Sequence, residues 1–235
     1  MRAFSDKELC HERLGDRFAT ALSTYDTRRR VETLIDDFLS DEMVRGKNAL
    51  DVGCGLGFFS QRLVERGARV EACDIGPNLV EKTRLRAGCA ARVADAMYLT
   101  EEFGLDRFDV VVSSECIEHV PVPLEALRQM IAVLKPGGYL SISTPNRLWH
   151  PVVRAATMLH LRPFDGLENF SSWHSLRQEL EIHSVEVIRE RGLHLFPFQI
   201  GLHRLSTWCD RHLQICRSGM INICILGRKK QCCYR

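Results

Sequence analysis

Two hydrophobic patterns alternate along most of the chain. Short, nearly unbroken apolar runs end in small or acidic residues: Asn48 to Val52, Ala68 to Asp74, Ala91 to Ala94, Phe108 to Ser114 and Tyr139 to Thr144. Runs of this length and continuity read as strands covered on both faces, as in a parallel sheet. Between them lie segments with apolar residues at helical spacing. One carries Phe59, Leu63 and Val64 inward; another runs from Asn78 to Ala87; a third, Leu124 to Leu134, places Leu124, Leu127, Ile131 and Leu134 on one face before Lys135-Pro-Gly-Gly138 ends it. A β-α-β alternation of this kind predicts an α/β fold with right-handed crossovers.

The ends of the chain depart from the alternation. Residues 1–45 read as a helical cap, with Leu22, Val31, Leu34, Ile35 and Leu39 forming a stripe. Residues 146–172 read as an insertion after the fifth strand, apolar at Trp149, Val152, Val153, Met158, Leu159, Leu161 and Phe164, with Arg147, Arg154 and Arg162 between them. A helix from Ser172 to Ile182, a strand near Val185 to Arg189, a helical segment near Leu202 to Ile215 and a strand from Met220 to Gly227 complete the reading. No repeat or low-complexity linker divides the chain, so residues 1–235 are expected to form a single domain.

Composition narrows the function classes. With 45% hydrophobic and 26% charged residues the chain is of ordinary globular character, and a net charge of +2 gives no global field for nucleic acid. The segment Met1 to Ser40 is charged throughout, unlike a signal peptide, and no apolar stretch approaches the ~20 residues of a membrane span. The 10 cysteines include no Cys-x-x-Cys pair, and several fall in predicted core strands, where a thiol behaves as a small hydrophobe. A cytoplasmic, thiol-reduced protein without a zinc site is expected.

The chemistry concentrates in Ala49-Leu-Asp-Val-Gly-Cys-Gly-Leu-Gly57, where a strand runs into a glycine turn and then a helix. Glycines at 53, 55 and 57 permit a tight bend and close approach of a ligand to the main chain. A dinucleotide fingerprint needs glycine where Phe58 stands, and a P-loop needs Gly-Lys-Ser/Thr, which is absent. What remains is an acid, Asp51, ahead of Gly-x-Gly-x-Gly, suited to a nucleoside whose tail carries an ammonium and a sulfonium. Asp74, followed by Ile75, lies about twenty residues on, a spacing that brings a carboxylate to ribose hydroxyls; the bland alternative is a helix N-cap. Asp95 and Ala96, after the third strand, fit an adenine edge or a plain turn. In the N-terminal cap, Tyr25 and Arg30 either pack or reach the ligand, Tyr25 over the sulfonium and Arg30 to a carboxylate.

Five elements now stand in order: Leu50-Asp-Val-Gly-Cys-Gly-Leu-Gly57, Asp74, Asp95-Ala96, Glu115-Cys-Ile-Glu-His-Val-Pro121 and Leu134-Lys-Pro-Gly-Gly138. Together they resemble the class I S-adenosylmethionine-dependent methyltransferases, more narrowly the O-methyltransferases of ubiquinone biosynthesis and their secondary-metabolite relatives. The resemblance implies a Rossmann-like seven-stranded, mostly parallel sheet of order 3-2-1-4-5-7-6 with the last strand antiparallel. It implies S-adenosylmethionine as cofactor, with Gly53, Gly55 and Gly57 under its methionine part, Asp74 at the ribose, Asp95 and Ala96 at the adenine, and Glu115 beside the sulfonium.

Methyl transfer to a hydroxyl requires placement of the acceptor and removal of a proton, and imidazole titrates in the useful range. His119 is therefore the candidate base. Two other readings stay open: a local loop contact, and a divalent ion on Glu115, Glu118 and His119, which the resemblance allows because some ubiquinone-pathway enzymes depend on one; no metal site is assigned. His150, Phe164, Phe170, Trp173 and His174, in and beside the insertion, are candidates to wall a flat substrate. The insertion can instead rest on an anionic bilayer, which limits membrane contact to a peripheral kind. Its Arg162-Pro-Phe-Asp-Gly-Leu-Glu run departs from the quinone enzymes and puts a prenyl-tailed substrate in doubt. The expected partner is a small methyl acceptor, with a homodimer possible and nucleic acid excluded by the missing basic face and Asn/Asp-Pro-Pro-aromatic motif. A nicotinamide oxidoreductase and a non-catalytic cofactor-binding module are the rival classes.

Overall fold

The computed structural model describes residues 5–7, 9–14, 24–159, 166–197 and 200–231. Seven strands form one sheet: β1 (Asn48–Val52), β2 (Arg69–Asp74), β3 (Ala90–Val93), β4 (Phe108–Ser114), β5 (Leu134–Pro145), β6 (Val185–Leu193) and β7 (Asn222–Lys229). Their order is β3-β2-β1-β4-β5-β7-β6; the first five are parallel, and β7 runs antiparallel to both neighbours.

The period of two along each strand separates two cores. Leu50, Val52, Val111, Ile142, Ile223 and Ile225 face one side, beneath α6 (Leu99–Phe103), α7 (Pro123–Val133) and α9 (Trp173–Ile182). Ala49, Val110, Val112, Cys224 and Leu226 face the other, where Leu34, Ile35, Phe38 and Leu39 pack with Phe59 and Leu63 of α4 (Phe58–Glu65). Val64 is not an inward residue as expected; it lies at the rim of α4, 36% exposed. Between β2 and β3 runs α5 (Pro77–Ala87), which starts at a proline and ends at Gly88 in the left-handed region, the usual chemistry of a helix start and stop.

The elements before β1 are α1 (Cys10–Leu14), α2 (Thr24–Val31), which continues as a π-helical segment Glu32–Asp37, and α3 (Asp41–Val44). After β5 come a 3-10 turn Arg147–Trp149 and α8 (His150–Met158). Leu22, Leu161, Arg162 and Phe164, assigned above to the cap and the insertion, lie outside the described residues. The insertion returns to the sheet through a parallel bridge between Asn146 and Ser171. Between β6 and β7 lie α10 (His203–His212) and a 3-10 segment Gln214–Gly219.

Several strand boundaries differ from the sequence reading. β5 begins at Leu134, because Lys135-Pro-Gly-Gly138 is a bulge within the strand; the register to β4 shifts between Phe108 and Val110. Gly138 is needed there, since a Cβ would stand 2.9 Å from the carbonyl oxygen of Asp109. β6 extends to Leu193 and β7 to Lys229, because these two strands pair with each other along their length at the sheet end.

Candidate active site

A cleft opens at the carboxyl ends of β1, β2 and β4, where the strand order reverses, the position at which open α/β sheets bind ligands. It encloses about 1070 Å³, its mouth included. Gly53, Gly55, Asp74, Ile75, Ala96, Glu115, His119 and Arg30 of the expected residues line it. Eight residues far apart in sequence are thus brought together.

The glycine loop works differently from a phosphate cradle. The N–H groups of Gly53 and Cys54 both donate to the carbonyl of Cys73, Gly57 N–H donates to Cys54, and Gly55 N–H donates to Asp74 Oδ2 at 3.0 Å. These four donors are used within the loop and by β2, so an anion finds none of them. Gly53 has φ +73°, and a Cβ there would lie 2.5 Å from Cys116 Sγ, so glycine keeps the loop pressed against the segment after β4. Gly57 lies outside the cleft; it starts α4 at φ +80°, close against Thr83 of α5.

Asp74 is both a loop brace and a cleft wall. Its Oδ1 accepts from Gly76 N–H at 2.9 Å, leaving each oxygen further lone pairs toward the cleft. Burial raises its carboxyl above the usual range, against those two N–H bonds. Asp95 does not line the cleft; it closes its own turn by accepting from Met97 N–H at 2.9 Å, while Ala94 and Ala96 on either side do line it. Asp51, expected at the ligand, lies beneath the loop: its side chain points into the sheet layer, 2% exposed, and accepts from Ser60 Oγ at 2.5 Å. Burial pushes its carboxyl up to about 7.

The two cap residues divide by helix geometry. Residues four apart share a helix face; Asp26 and Arg30 share one, with Arg30 reaching the cleft, whereas Tyr25 and Arg29 share another that meets α10. Tyr25 therefore does not reach the cleft. Its ring stacks on His203 at 4.1 Å and its hydroxyl bonds the His203 carbonyl at 3.0 Å and Thr207 Oγ1 at 2.9 Å. Arg30 donates Nε and Nη2 to Asp26 Oδ2 at 3.1 and 2.8 Å, and Nη1 to Ser114 Oγ at 2.8 Å.

The wall beyond β4 is acidic. Glu115 adopts φ +51°, which turns its side chain back over the sheet edge, where it accepts from Ser143 Oγ and Asn222 Nδ2, both at 2.9 Å. Burial and the neighbouring Glu118 raise its carboxyl to about 7, against the pull of Arg30. Glu118 is likewise raised to about 7 by burial and accepts from Thr144 Oγ1 at 3.2 Å. His119 Nδ1 lies 2.8 Å from the Leu167 carbonyl, which only accepts, so Nδ1 carries the proton and Nε2 is the acceptor nitrogen. That Nε2 stands 3.6 Å from Glu118 Oε1. The returning insertion holds this loop: Asn169 N–H donates to Glu118 O and its Nδ2 to Val120 O, each at 2.8 Å.

The expected substrate residues do not gather at the cleft. Trp173 is a core residue, His174 is exposed, and His150 contacts Phe170 at 5.2 Å, all away from the cleft lining; Phe164 lies outside the described residues. Sequence reasoning missed His11, Glu12 and Thr27, which line the cleft, His11 meeting the His119 ring edge-on at 4.6 Å. Thr27 stands one helical turn before Arg30, the one signal that could have found it; nothing local marks His11 or Glu12. Among the described residues no group of three His, Cys, Asp or Glu is placed to hold a metal ion.

The donor set fits S-adenosylmethionine. A carboxylate on an adjacent strand tip suits a diol, Ile75, Leu79, Ala94 and Ala96 make an apolar slot for a base, and a guanidinium stands ready for a carboxylate. Comparison with known proteins agrees. The methyltransferase domain family profile matches residues 24–190. The chain belongs to the class I S-adenosylmethionine-dependent methyltransferases. A ubiquinone biosynthesis O-methyltransferase of Coxiella burnetii is 30% identical over 168 residues, 66% of this chain and 70% of that one. Two solved structures share the fold of this methyltransferase: a possible histamine N-methyltransferase of Thermotoga maritima (TM-score 0.70, 15% identity, 96% of this chain and all of the other) and the magnesium protoporphyrin IX methyltransferase of Synechocystis with bound S-adenosylhomocysteine (TM-score 0.68, 13% identity, 95% and 98%). Among the described residues no helix is long and apolar enough to cross a membrane.

Proposed function

We propose that this methyltransferase transfers a methyl group to a hydroxyl oxygen of a small aromatic or alicyclic metabolite, with His119 as general base. The observation that carries the proposal is the fixed tautomer of His119 in the cleft, Nδ1–H held by Leu167 and Nε2 the acceptor. The name of the Coxiella burnetii relative supports an oxygen acceptor.

In this reading Asp74 accepts from the ribose hydroxyls, Ala94 and Ala96 flank the adenine, Arg30 pairs with the methionine carboxylate, and Glu115 faces the sulfonium. When bound, the cofactor supplies an electrophilic methyl on a cationic sulfur that leaves as a neutral thioether. The protein must then hold the acceptor oxygen about 3 Å from that methyl and remove its proton. His119 Nε2 takes the proton, and the carboxylate of Glu118, 3.6 Å away, stabilises the imidazolium that results. The Leu167 carbonyl keeps the ring from presenting the wrong nitrogen, so the returning insertion sets the tautomer.

His119→Ala should lower kcat about 10²–10⁴-fold with a phenolic or alcoholic acceptor while leaving cofactor affinity near wild type. A variant as fast as wild type on such an acceptor removes the base role and favours N- or C-methylation by positioning alone.

A further inference from the structure

His194 is buried completely, does not line the cleft, and takes a strained backbone angle, φ +59°. Its surroundings explain the strain. The His194 N–H donates to Asp210 Oδ1 of α10 at 2.8 Å, its carbonyl accepts from Ile221 N–H at 3.0 Å, and its Nε2 meets Asp26 Oδ1 at 2.9 Å. Burial raises the Asp26 carboxyl, but Arg30 and the His194 bond outweigh it and hold it at about 2, so Asp26 is ionised and His194 Nε2 is the donor. Nδ1 then faces the Ser206 hydroxyl at 3.4 Å.

Asp26 thus has both oxygens committed. Oδ1 takes His194, and Oδ2 takes two N–H groups of Arg30, whose remaining Nη1 bonds Ser114 at the tip of β4. A guanidinium held by Asp26 through two nitrogens and by Ser114 through the third has little freedom to turn, and Arg30 so held lines the cleft. The same helix is tied to α10 by Tyr25 on Thr207 and by Arg29 on Asp210.

We propose that His194 is a positioning residue of the cofactor site: by donating to Asp26 it aims Arg30 at the carboxylate of the cofactor, which makes α10 and the end of β6 part of the machinery that binds the amino-acid tail. The inference rests on the reading that Arg30 takes that carboxylate. It concerns residues 168 positions apart in sequence.

Two ligands separate aiming from general damage. S-adenosylhomocysteine carries the carboxylate; 5′-methylthioadenosine has the same nucleoside and no amino-acid tail. In calorimetric titrations His194→Leu should bind S-adenosylhomocysteine about tenfold more weakly and 5′-methylthioadenosine within twofold of wild type. His194→Gln, whose amide N–H reaches the position of Nε2, should restore S-adenosylhomocysteine to within about threefold. His194→Asn, which tolerates the positive φ but is too short to reach Asp26, should repeat the selective loss and serves if the leucine variant does not fold. Unchanged S-adenosylhomocysteine affinity in the variants lacking the donor, or equal weakening of both ligands, overturns the proposal. Arg30→Met is the control for the underlying reading. If it binds S-adenosylhomocysteine as wild type does, the Arg30 assignment itself fails; if it binds weakly while His194→Asn does not, only the role of His194 fails.

Discussion

Asp51 lies 2% exposed beneath the glycine loop, with Ser60 Oγ at 2.5 Å as its hydrogen-bond partner and no cation beside it in the bonds described. Burial raises its carboxyl from 3.8 to about 7, Asp74 adding to the effect and the Ser60 bonds opposing it. The folded state therefore holds a proton that the unfolded chain releases. Stability from this group is fully present below the unfolded pKa and is lost as pH rises toward the folded one. The linkage relation with those two values gives a loss of roughly 1.5 kcal/mol at pH 5 and roughly 4 kcal/mol at pH 8, relative to a group that never ionises. Asp51→Asn is such a group, similar in shape and able to bond Ser60. Its stability relative to wild type should improve by about 2–3 kcal/mol between pH 5 and pH 8, a shift of about 5–10 °C in the difference between melting temperatures. Urea midpoints of both proteins at the two pH values measure it. A gap that stays constant within about 0.5 kcal/mol would refute the reasoning, since Asp51 would then titrate as in the unfolded chain.

Two further predictions follow from the same geometry. Gly57→Ala combines φ +80° with a Cβ 2.9 Å from the Thr83 backbone, and should cost about 2–4 kcal/mol in urea unfolding, whereas Gly46→Ala, at φ +72° with open space around it, should cost only about 1–2. Glu115 is raised to about 7 and gains its charge as pH rises from 6 to 8, so calorimetric affinity for the sulfonium of S-adenosylmethionine should rise over that interval more than affinity for the neutral thioether S-adenosylhomocysteine; parallel pH profiles for the two would place the sulfonium away from Glu115.

The sheet and the glycine loop were legible because their signals are local. Strand runs such as Phe108 to Ser114 carry a nearly unbroken apolar centre, and the Gly53, Gly55 and Asp74 spacing is set within one β-α-β unit, so these residues meet in the cleft. Side-chain direction was less legible. Asp51 and Asp95 are acids at strand ends, but one turns under the loop and the other closes its own turn, and composition does not record which. Tyr25 and Thr27 differ by two positions on one helix and face opposite neighbours, because the stripe that places them is completed by α10, almost 180 residues later. The same holds for Trp173, where aromatic character suggested a substrate wall and the register of α9 on the sheet makes it core. The positive φ at Glu115 and His194, both non-glycine residues, left no mark that a sequence pattern could show.

Among the described residues Arg30 is the one Lys or Arg that lines the cleft. Asp26, Glu115 and Glu118 all act on Arg30; Asp26 and Glu118 are buried and Glu115 is half-buried. If all three carboxyls ionised, a low-dielectric pocket would hold a net charge of −2 with few counter-ions, an arrangement that desolvation strongly disfavours. The structure divides the task. Asp26 takes two guanidinium bonds and a His194 bond and stays ionised at about 2, while Glu115 and Glu118, held by neutral hydroxyl and amide donors, rise to about 7. Below neutral pH the cluster is close to balanced; above it the excess is negative. That excess is complementary to a ligand with two positive centres and one carboxylate, the carboxylate pairing with Arg30 in the reading proposed above. An adenosine that carried phosphates would meet carboxylates of its own sign of charge, together with a loop whose N–H groups at Gly53, Cys54, Gly55 and Gly57 already have partners.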